Sequence, residues 1–286
     1  MSSNNISAQT DFLPLSGLGQ ITYDYDAILC DIWGIIHDGK FPHHEATRAL
    51  ERFRQERGPV VMITNSPKPS VAIPPALEQI GNQGEFYDAI VTSGDATIDE
   101  ISRRAPGPAF KLGPPRDDML YENMALNFSD LDEAAFISCT GPFDDDETPE
   151  DYTDLLGAAL KLKLPFICAN PDVKVKVGGK VIYCGGALAQ MYQNMGGQVI
   201  YAGKPHPPIY RLCRAWLDEL LGEQLPKSRV LCIGDNIFTD LVGAQREGYD
   251  CLFIQDGLYA ETEKQLTGLL HQHNISAKYI GSKLSW

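Results

Sequence analysis

Eight short apolar runs, several of them apolar throughout rather than alternating, constrain this chain more than any other feature. They are "AILCDI" (27–32), "VVMIT" (60–64), "AIVTS" (89–93), "AAFISC" (134–139), "PFICA" (165–169), "QVIYA" (198–202), "RVLCIG" (229–234) and "DCLFI" (250–254). A strand with one solvated face alternates apolar and polar residues, whereas a strand covered on both faces reads as a nearly unbroken apolar run. Helical spacing fills the intervals. Ala46, Ala49, Leu50 and Phe53 fall on one stripe, as do Tyr152, Leu155, Leu156 and Ala159, and Leu188, Met191, Tyr192 and Met195. The longest stripe is Ile209, Leu212, Cys213, Trp216, Leu217 and Leu220. Pro74 and Pro75 predict either a helix that starts there or a kink. Strands alternating with helices predict an α/β fold with a doubly wound parallel sheet.

Composition narrows the function. The 286 residues suit one large domain or two smaller ones. A net charge of -14 disfavours nucleic acid and anionic lipid as partners, because both repel an acidic surface. No run approaches the roughly 20 apolar residues of a membrane span, and the first 20 residues read as a polar, flexible arm rather than a secretion signal. Seven cysteines, an odd number without a C-x-x-C pair, sit mostly in apolar runs. That pattern suits reduced, buried thiols in a cytoplasmic protein and argues against zinc or thiol catalysis. The acid run "FDDDETPEDYTD" (143–154) reads as a solvated loop and helix start.

Four polar signals follow apolar runs: Asp31, the pair Thr64-Asn65, Lys204, and "GDNIFTD" from Gly234 to Asp240. In a parallel sheet they gather at the carboxyl ends of the strands, where open α/β sheets bind ligands. Such a set supports phosphoryl transfer. Asp31 is able to attack phosphorus and form an aspartyl phosphate. A carboxylate and a phosphoester dianion repel, so Asp31 and Asp235 would share Mg²⁺. Lys204 would neutralise the nucleophile and the phosphoryl oxygens, with Thr64 and the amide of Asn65 bonding the transferring group. Asn236 and Asp240 stand behind them. Asp240 either holds Lys204 or a metal-bound water, or serves as a helix N-terminal charge.

"DIWG", "ITN", "GKPHPPIY" and "IGDNIFTD" resemble, in order, the four motifs of the haloacid dehalogenase-like (HAD) hydrolases. "VTSGDAT" (91–97), "CANPDV" (168–173), "GGALAQMYQNMGG" (185–197) and "YAGKP" (201–205) resemble the class IIA branch, which includes NagD-type sugar phosphatases and pyridoxal phosphate phosphatases. The likeness runs from about residue 24 to 257. It implies a Rossmann-like core carrying an inserted α/β cap domain: core at 21–104 and 201–286, cap at 105–200. It also implies Mg²⁺ held in part by the main-chain carbonyl of Trp33, a small phosphorylated metabolite as substrate, and a homodimer formed through the caps. Asn170 and Asp172 match a cap loop that faces the site in relatives; the alternative for "ANPD" is an Asn-Pro turn.

Trp33 departs from the pattern. Phosphatases of the family carry aspartate two residues after the nucleophile, as the acid that protonates the leaving oxygen and the base that activates water. Indole N–H only donates, so metal binding and acid–base catalysis are separated here. His37 is the nearest titratable substitute. Three readings follow: a phosphatase, slowed by the substitution; a phosphometabolite-binding or regulatory protein on a disabled scaffold; and a relative with other chemistry, which the class IIA-like cap disfavours.

Overall fold

The computed structural model describes residues 12–177, 180–255 and 263–286. Chain order gives strands β1 (Leu13–Pro14), β2 (Ala27–Asp31), β3 (Val60–Thr64), β4 (Ala89–Thr92), β5 (Ala109–Leu112), β6 (Phe136–Cys139) and β7 (Phe166–Cys168). Then come β8 (Lys174–Val177), β9 (Lys180–Tyr183), β10 (Val199–Tyr201), β11 (Val230–Gly234), β12 (Asp250–Ile254) and β13 (Tyr279–Gly281). The main sheet has the order β1-β13-β12-β11-β2-β3-β4 and every pairing in it is parallel. The chain winds outward from β2 on one side and from β11 on the other. The boundary between these two central strands is therefore the topological switch point, with Asp31 and Asp235 at its carboxyl end.

The unbroken apolar runs are explained by cover on both faces. Ala27, Leu29, Val61, Ile63, Val230 and Cys232 enter one core layer, while Ile28, Cys30, Val60, Met62, Leu231 and Ile233 enter the other. Helix α1 (His44–Glu56) covers the second layer with Ala46, Ala49, Leu50 and Phe53. Ile209, Cys213 and Leu217 of the long helix Pro207–Leu221 cover the first. Trp216 and Leu220, expected on that buried stripe, are 42% and 41% exposed, because Tyr210 takes the inward position at the helix start. Pro74 and Pro75 open the helix Ile73–Gln79, where their missing N–H groups cost nothing.

A second parallel sheet, β10-β7-β6-β5, draws all its strands from residues 109–201. Leu156 and Ala159 of one helix and Leu188, Ala189 and Tyr192 of another cover one of its faces. The antiparallel hairpin β8-β9 stands beside it.

Two expectations need correction. The four polar signals are expected at the strand ends of one parallel sheet, yet β10, the strand before Lys204, pairs with β7 in the smaller sheet. Residues 12–20 are not a flexible arm. Leu13 N–H and Leu15 N–H donate to the carbonyls of Lys278 and Ile280 at 2.9 and 2.7 Å, and Phe12 and Leu18 are buried. The apolar residues spaced through this segment close the sheet edge beside β13; residues 1–11 of the proposed arm lie outside the described residues. The acid run is a loop over 143–148, tied down by pairs of Asp145 with Arg116 at 2.5 Å and Asp146 with Lys180, that leads into the helical turn Pro149–Tyr152 and the helix starting at Thr153. All seven cysteines are free and buried. Among the described residues no helix is long and apolar enough to cross a membrane.

Candidate active site

Three of the four signals stand at carboxyl ends of the main sheet. Asp31 ends β2, Thr64 ends β3, and Asp235 follows β11. Lys204 arrives differently, three residues past β10 of the smaller sheet, yet reaches the same point. Its Nζ lies 2.8 Å from Asp31 Oδ1 and 2.7 Å from Asp240 Oδ1. All three groups are buried.

Asn65 is the clamp that brings Lys204 in. Its Oδ1 accepts from Lys204 N–H at 2.7 Å, and its Nδ2 donates to the Lys204 carbonyl at 3.1 Å and to Asp172 Oδ1 at 3.0 Å. One amide thus joins the end of β3 in the main sheet to the segment after β10 and the loop after β7. Asn236 Oδ1 accepts from Phe238 N–H at 2.9 Å, and Asn236 N–H donates to Asp240 Oδ2 at 3.1 Å, so Asp240 is held while it pairs with Lys204. Thr64 Oγ1 accepts from Ser66 N–H at 3.2 Å, which turns the chain after β3.

Charge balance makes this a place for a cation. Carboxylate oxygens of Asp31, Asp235 and Asp240 lie within 4.8 Å of one another. Three carboxylates against the single ammonium of Lys204 leave two negative charges in excess. Burial first, and then repulsion from Asp240, push the Asp31 carboxyl well above the usual carboxylate range. Burial opposes the charge on Lys204, but Asp240 and Asp31 outweigh it and hold its ammonium above the ordinary lysine range. Buried hard oxygen donors with a double negative excess fit a divalent metal such as Mg²⁺. Gly34 belongs to this geometry. Its φ is +81°, and a Cβ there would come within 2.0 Å of Asp235 Oδ2, so the turn after β2 passes against the carboxylate only as glycine.

Beside this cluster lies a cavity of about 360 Å³ between the two sheets. Trp33, Thr64, Asn65 and Ser66 line it from the main sheet, and Asp117, Thr140, Asn170 and Asp172 from the smaller one. Asn170 does form a turn, its Oδ1 accepting from Asp172 N–H at 3.1 Å, and it faces the cavity as well. Burial pushes the Asp172 carboxyl up. His37 is not among the lining residues. It packs edge-on against the indole of Trp33 at 5.0 Å, and its Nδ1 accepts from Gly39 N–H at 2.9 Å. Burial, reinforced by His43, pushes its pKa down to about 4. At neutral pH it is an uncharged ring behind the tryptophan, a poor donor to a leaving group.

That depressed pKa has a measurable consequence. A folded value near 4 against about 6.5 unfolded means that the stability is complete above pH 6.5 and is lost as pH falls through the folded value. His206, also pushed down to about 4 by burial, contributes in the same window. His37→Gln should remove about half of this histidine-linked loss, on the order of 2 kcal/mol, in urea unfolding compared at pH 7 and 4.5. An unchanged difference between the two pH values would show that His37 does not titrate with unfolding.

Asp117 and Thr140 went unseen in the sequence. "GPPRDD" carries ordinary turn and surface residues, and only the packing of the smaller sheet turns one of its acids inward.

The comparisons agree with this architecture. Residues 28–126 match the family described as haloacid dehalogenase-like hydrolase, and residues 201–280 match a HAD-hydrolase-like family. A haloacid dehalogenase-like hydrolase from Brucella suis is 37% identical, with a TM-score of 0.87 over 95% of this chain and 100% of that one. An acid sugar phosphatase from Staphylococcus epidermidis is 25% identical over 82% of this chain and 88% of its own length. A 4-nitrophenylphosphatase from Thermotoga maritima, at 20% identity, shares the fold with a TM-score of 0.70 over 92% of this chain and 96% of its own. With the Brucella suis relative 37% identical and covering 95% of this chain, and the motif residues drawn together at the switch point, the chain belongs to the haloacid dehalogenase-like hydrolases.

Proposed function

We propose that this hydrolase is a Mg²⁺-dependent phosphatase of a small phosphorylated metabolite of the sugar phosphate type, working through Asp31. The observation that carries the reading is Lys204 Nζ held at 2.8 and 2.7 Å between Asp31 and Asp240 at the head of an acidic cluster. Asp31, Asp235 and the main-chain carbonyl of Trp33 would hold the metal. When bound, Mg²⁺ supplies positive charge that lets a carboxylate and a phosphoester approach.

The chain's own residues do the rest. Asp31 Oδ attacks phosphorus, and the bond to the leaving oxygen breaks, giving an aspartyl phosphate. Lys204 favours the ionised form of Asp31 against the burial that opposes it, and balances the phosphoryl oxygens. Thr64 Oγ1 and Asn65 N–H bond those oxygens, while the Asn65 side chain, committed to Lys204 and Asp172, sets where Lys204 stands. The smaller sheet acts as a cap whose loops limit the substrate to small molecules. The names of the relatives, acid sugar phosphatase and 4-nitrophenylphosphatase, support phosphate monoesters as the substrate class.

The test is phosphate release from 4-nitrophenyl phosphate and a panel of sugar phosphates, with Mg²⁺ and with a chelator. Release that disappears on chelation supports the reading. Trp33 favours one rival, a phosphometabolite-binding protein on a disabled scaffold. Tight binding of the sugar phosphates without release of phosphate from any ester would select that rival.

A further inference from the structure

Trp33 leaves the leaving-group side of the site without its expected acid, and the part of the cavity wall that the smaller sheet supplies holds a carboxyl group. We propose that Asp117, carried by the smaller sheet, is the catalytic acid that stands in for the residue Trp33 replaces; this rests on the phosphatase reading above.

The geometry singles Asp117 out from the other acids around the same cavity. Asp117 lies in the short helical turn Pro115–Tyr121, is only 6% exposed, and lines the cavity together with Trp33, Thr64 and Asn65. A substrate whose phosphoryl group sits at Thr64 and Asn65 and whose leaving group fills this cavity meets both the indole and Asp117 on its lining. Asp145 is committed to Arg116 at 2.5 Å. Asp172 accepts from Asn65 at 3.0 Å and faces Lys204, on the phosphoryl side. His37 lies behind the indole. Asp117 has the Thr140 hydroxyl as hydrogen-bond partner, with Arg116, Lys68 and Asp118 as its charged neighbours. Burial outweighs the two cations and raises its carboxyl above the usual range, which favours the protonated form a donor needs.

The balance closes in two steps. As the Asp31–phosphorus bond forms and the phosphorus–oxygen bond to the leaving group breaks, the electron pair stays on the leaving oxygen, which takes the Asp117 proton. Water then attacks the aspartyl phosphate from the side the leaving group vacated. Its proton passes to the Asp117 carboxylate, and Asp31 is released as carboxylate.

The experiment compares kcat/KM for 4-nitrophenyl phosphate, whose leaving group departs with little protonation, and for a hexose 6-phosphate, whose alkoxide requires it. Asp117→Asn, nearly isosteric, should lower the alkyl-to-aryl ratio of kcat/KM about 100-fold, the lower end of what general acid catalysis contributes. Trp33→Asp in the Asp117→Asn background should restore part of that ratio by returning an acid to the other wall. An unchanged ratio in Asp117→Asn, whether activity is kept or lost equally on both esters, overturns the assignment. So does a wild type that hydrolyses the aryl ester but not the alkyl one. Hydrolysis of neither ester would instead remove the phosphatase reading itself, and the assignment with it.

Discussion

Asp31→Asn should yield a folded chain that releases phosphate at least about 10⁴-fold more slowly than wild type and never becomes covalently phosphorylated. An amide of nearly the same shape is no nucleophile toward phosphorus, and loss of a covalent nucleophile typically removes most of an enzyme's rate. The fold should not suffer. Burial and Asp240 hold the Asp31 carboxyl well above its ordinary range, so its ionised form costs stability at neutral pH. The asparagine carries no such cost, and Lys204 retains Asp240 at 2.7 Å. The melting temperature of the metal-free variant should therefore equal or exceed that of wild type. The covalent state is read by acid quenching with labelled substrate. Turnover near the wild-type rate in Asp31→Asn would remove Asp31 from the nucleophile's role.

Lys204→Met should be the most destabilising single change at the site, by about 3–5 kcal/mol in the absence of metal. The reason is not a lost attraction alone. Methionine leaves Asp31 and Asp240 buried, close together and without their shared cation. The sign with pH follows from the Asp31 shift. A carboxyl with a raised folded pKa contributes stability that is full below its unfolded value and lost as pH rises through the folded one. The variant should thus be least stable at neutral pH and recover on acidification. Asp240→Asn added to Lys204→Met should recover part of the loss at pH 7 by removing one of the two stranded charges. Denaturant unfolding at pH 5 and 7 checks both statements. A loss independent of pH, untouched by the second change, would mean that lost packing and not stranded charge sets the cost.

Much of the main sheet was legible because its central strands are covered on both faces. "VVMIT" and "DCLFI" coincide with β3 and β12, and the other runs differ from their strands by a residue or two at the ends. What escaped is what such cover does not mark. β5 reads "AFKL", half-buried with a lysine in it, and the hairpin β8-β9 is rich in lysine and partly exposed. β1 and β13 have two and three residues, too few for a period. The helix Ser93–Ser102 declares itself by its cap, with Thr92 Oγ1 accepting from Asp95 N–H at 2.9 Å, rather than by an apolar stripe. At the site, Asp31, Thr64 and Asp235 were visible as polar residues closing apolar runs. The clamp made by the Asn65 side chain was not, because its partners lie 107 and 139 residues away. The same holds for Asp117, whose inward position is set by the smaller sheet and not by its neighbours in sequence.

The order of the main sheet also says when the molecule can assemble. Its central pair, β2 and β11, is joined across the whole of the smaller sheet, and the ion pair between Asp26 and Arg229 just before these strands spans 203 residues. Contacts between such distant segments require a long loop to close before they are rewarded, which slows their formation. The smaller sheet has no such debt, since β5, β6, β7 and β10 all lie between residues 109 and 201. On a ribosome it is complete while β2, β3 and β4 still lack their central partner. A nascent chain stopped near residue 240, with β10 outside the exit tunnel and β11 still inside it, should hold a protease-resistant insert between segments that are still cut, and catalytic competence should emerge only after β11 and β12 have left the tunnel.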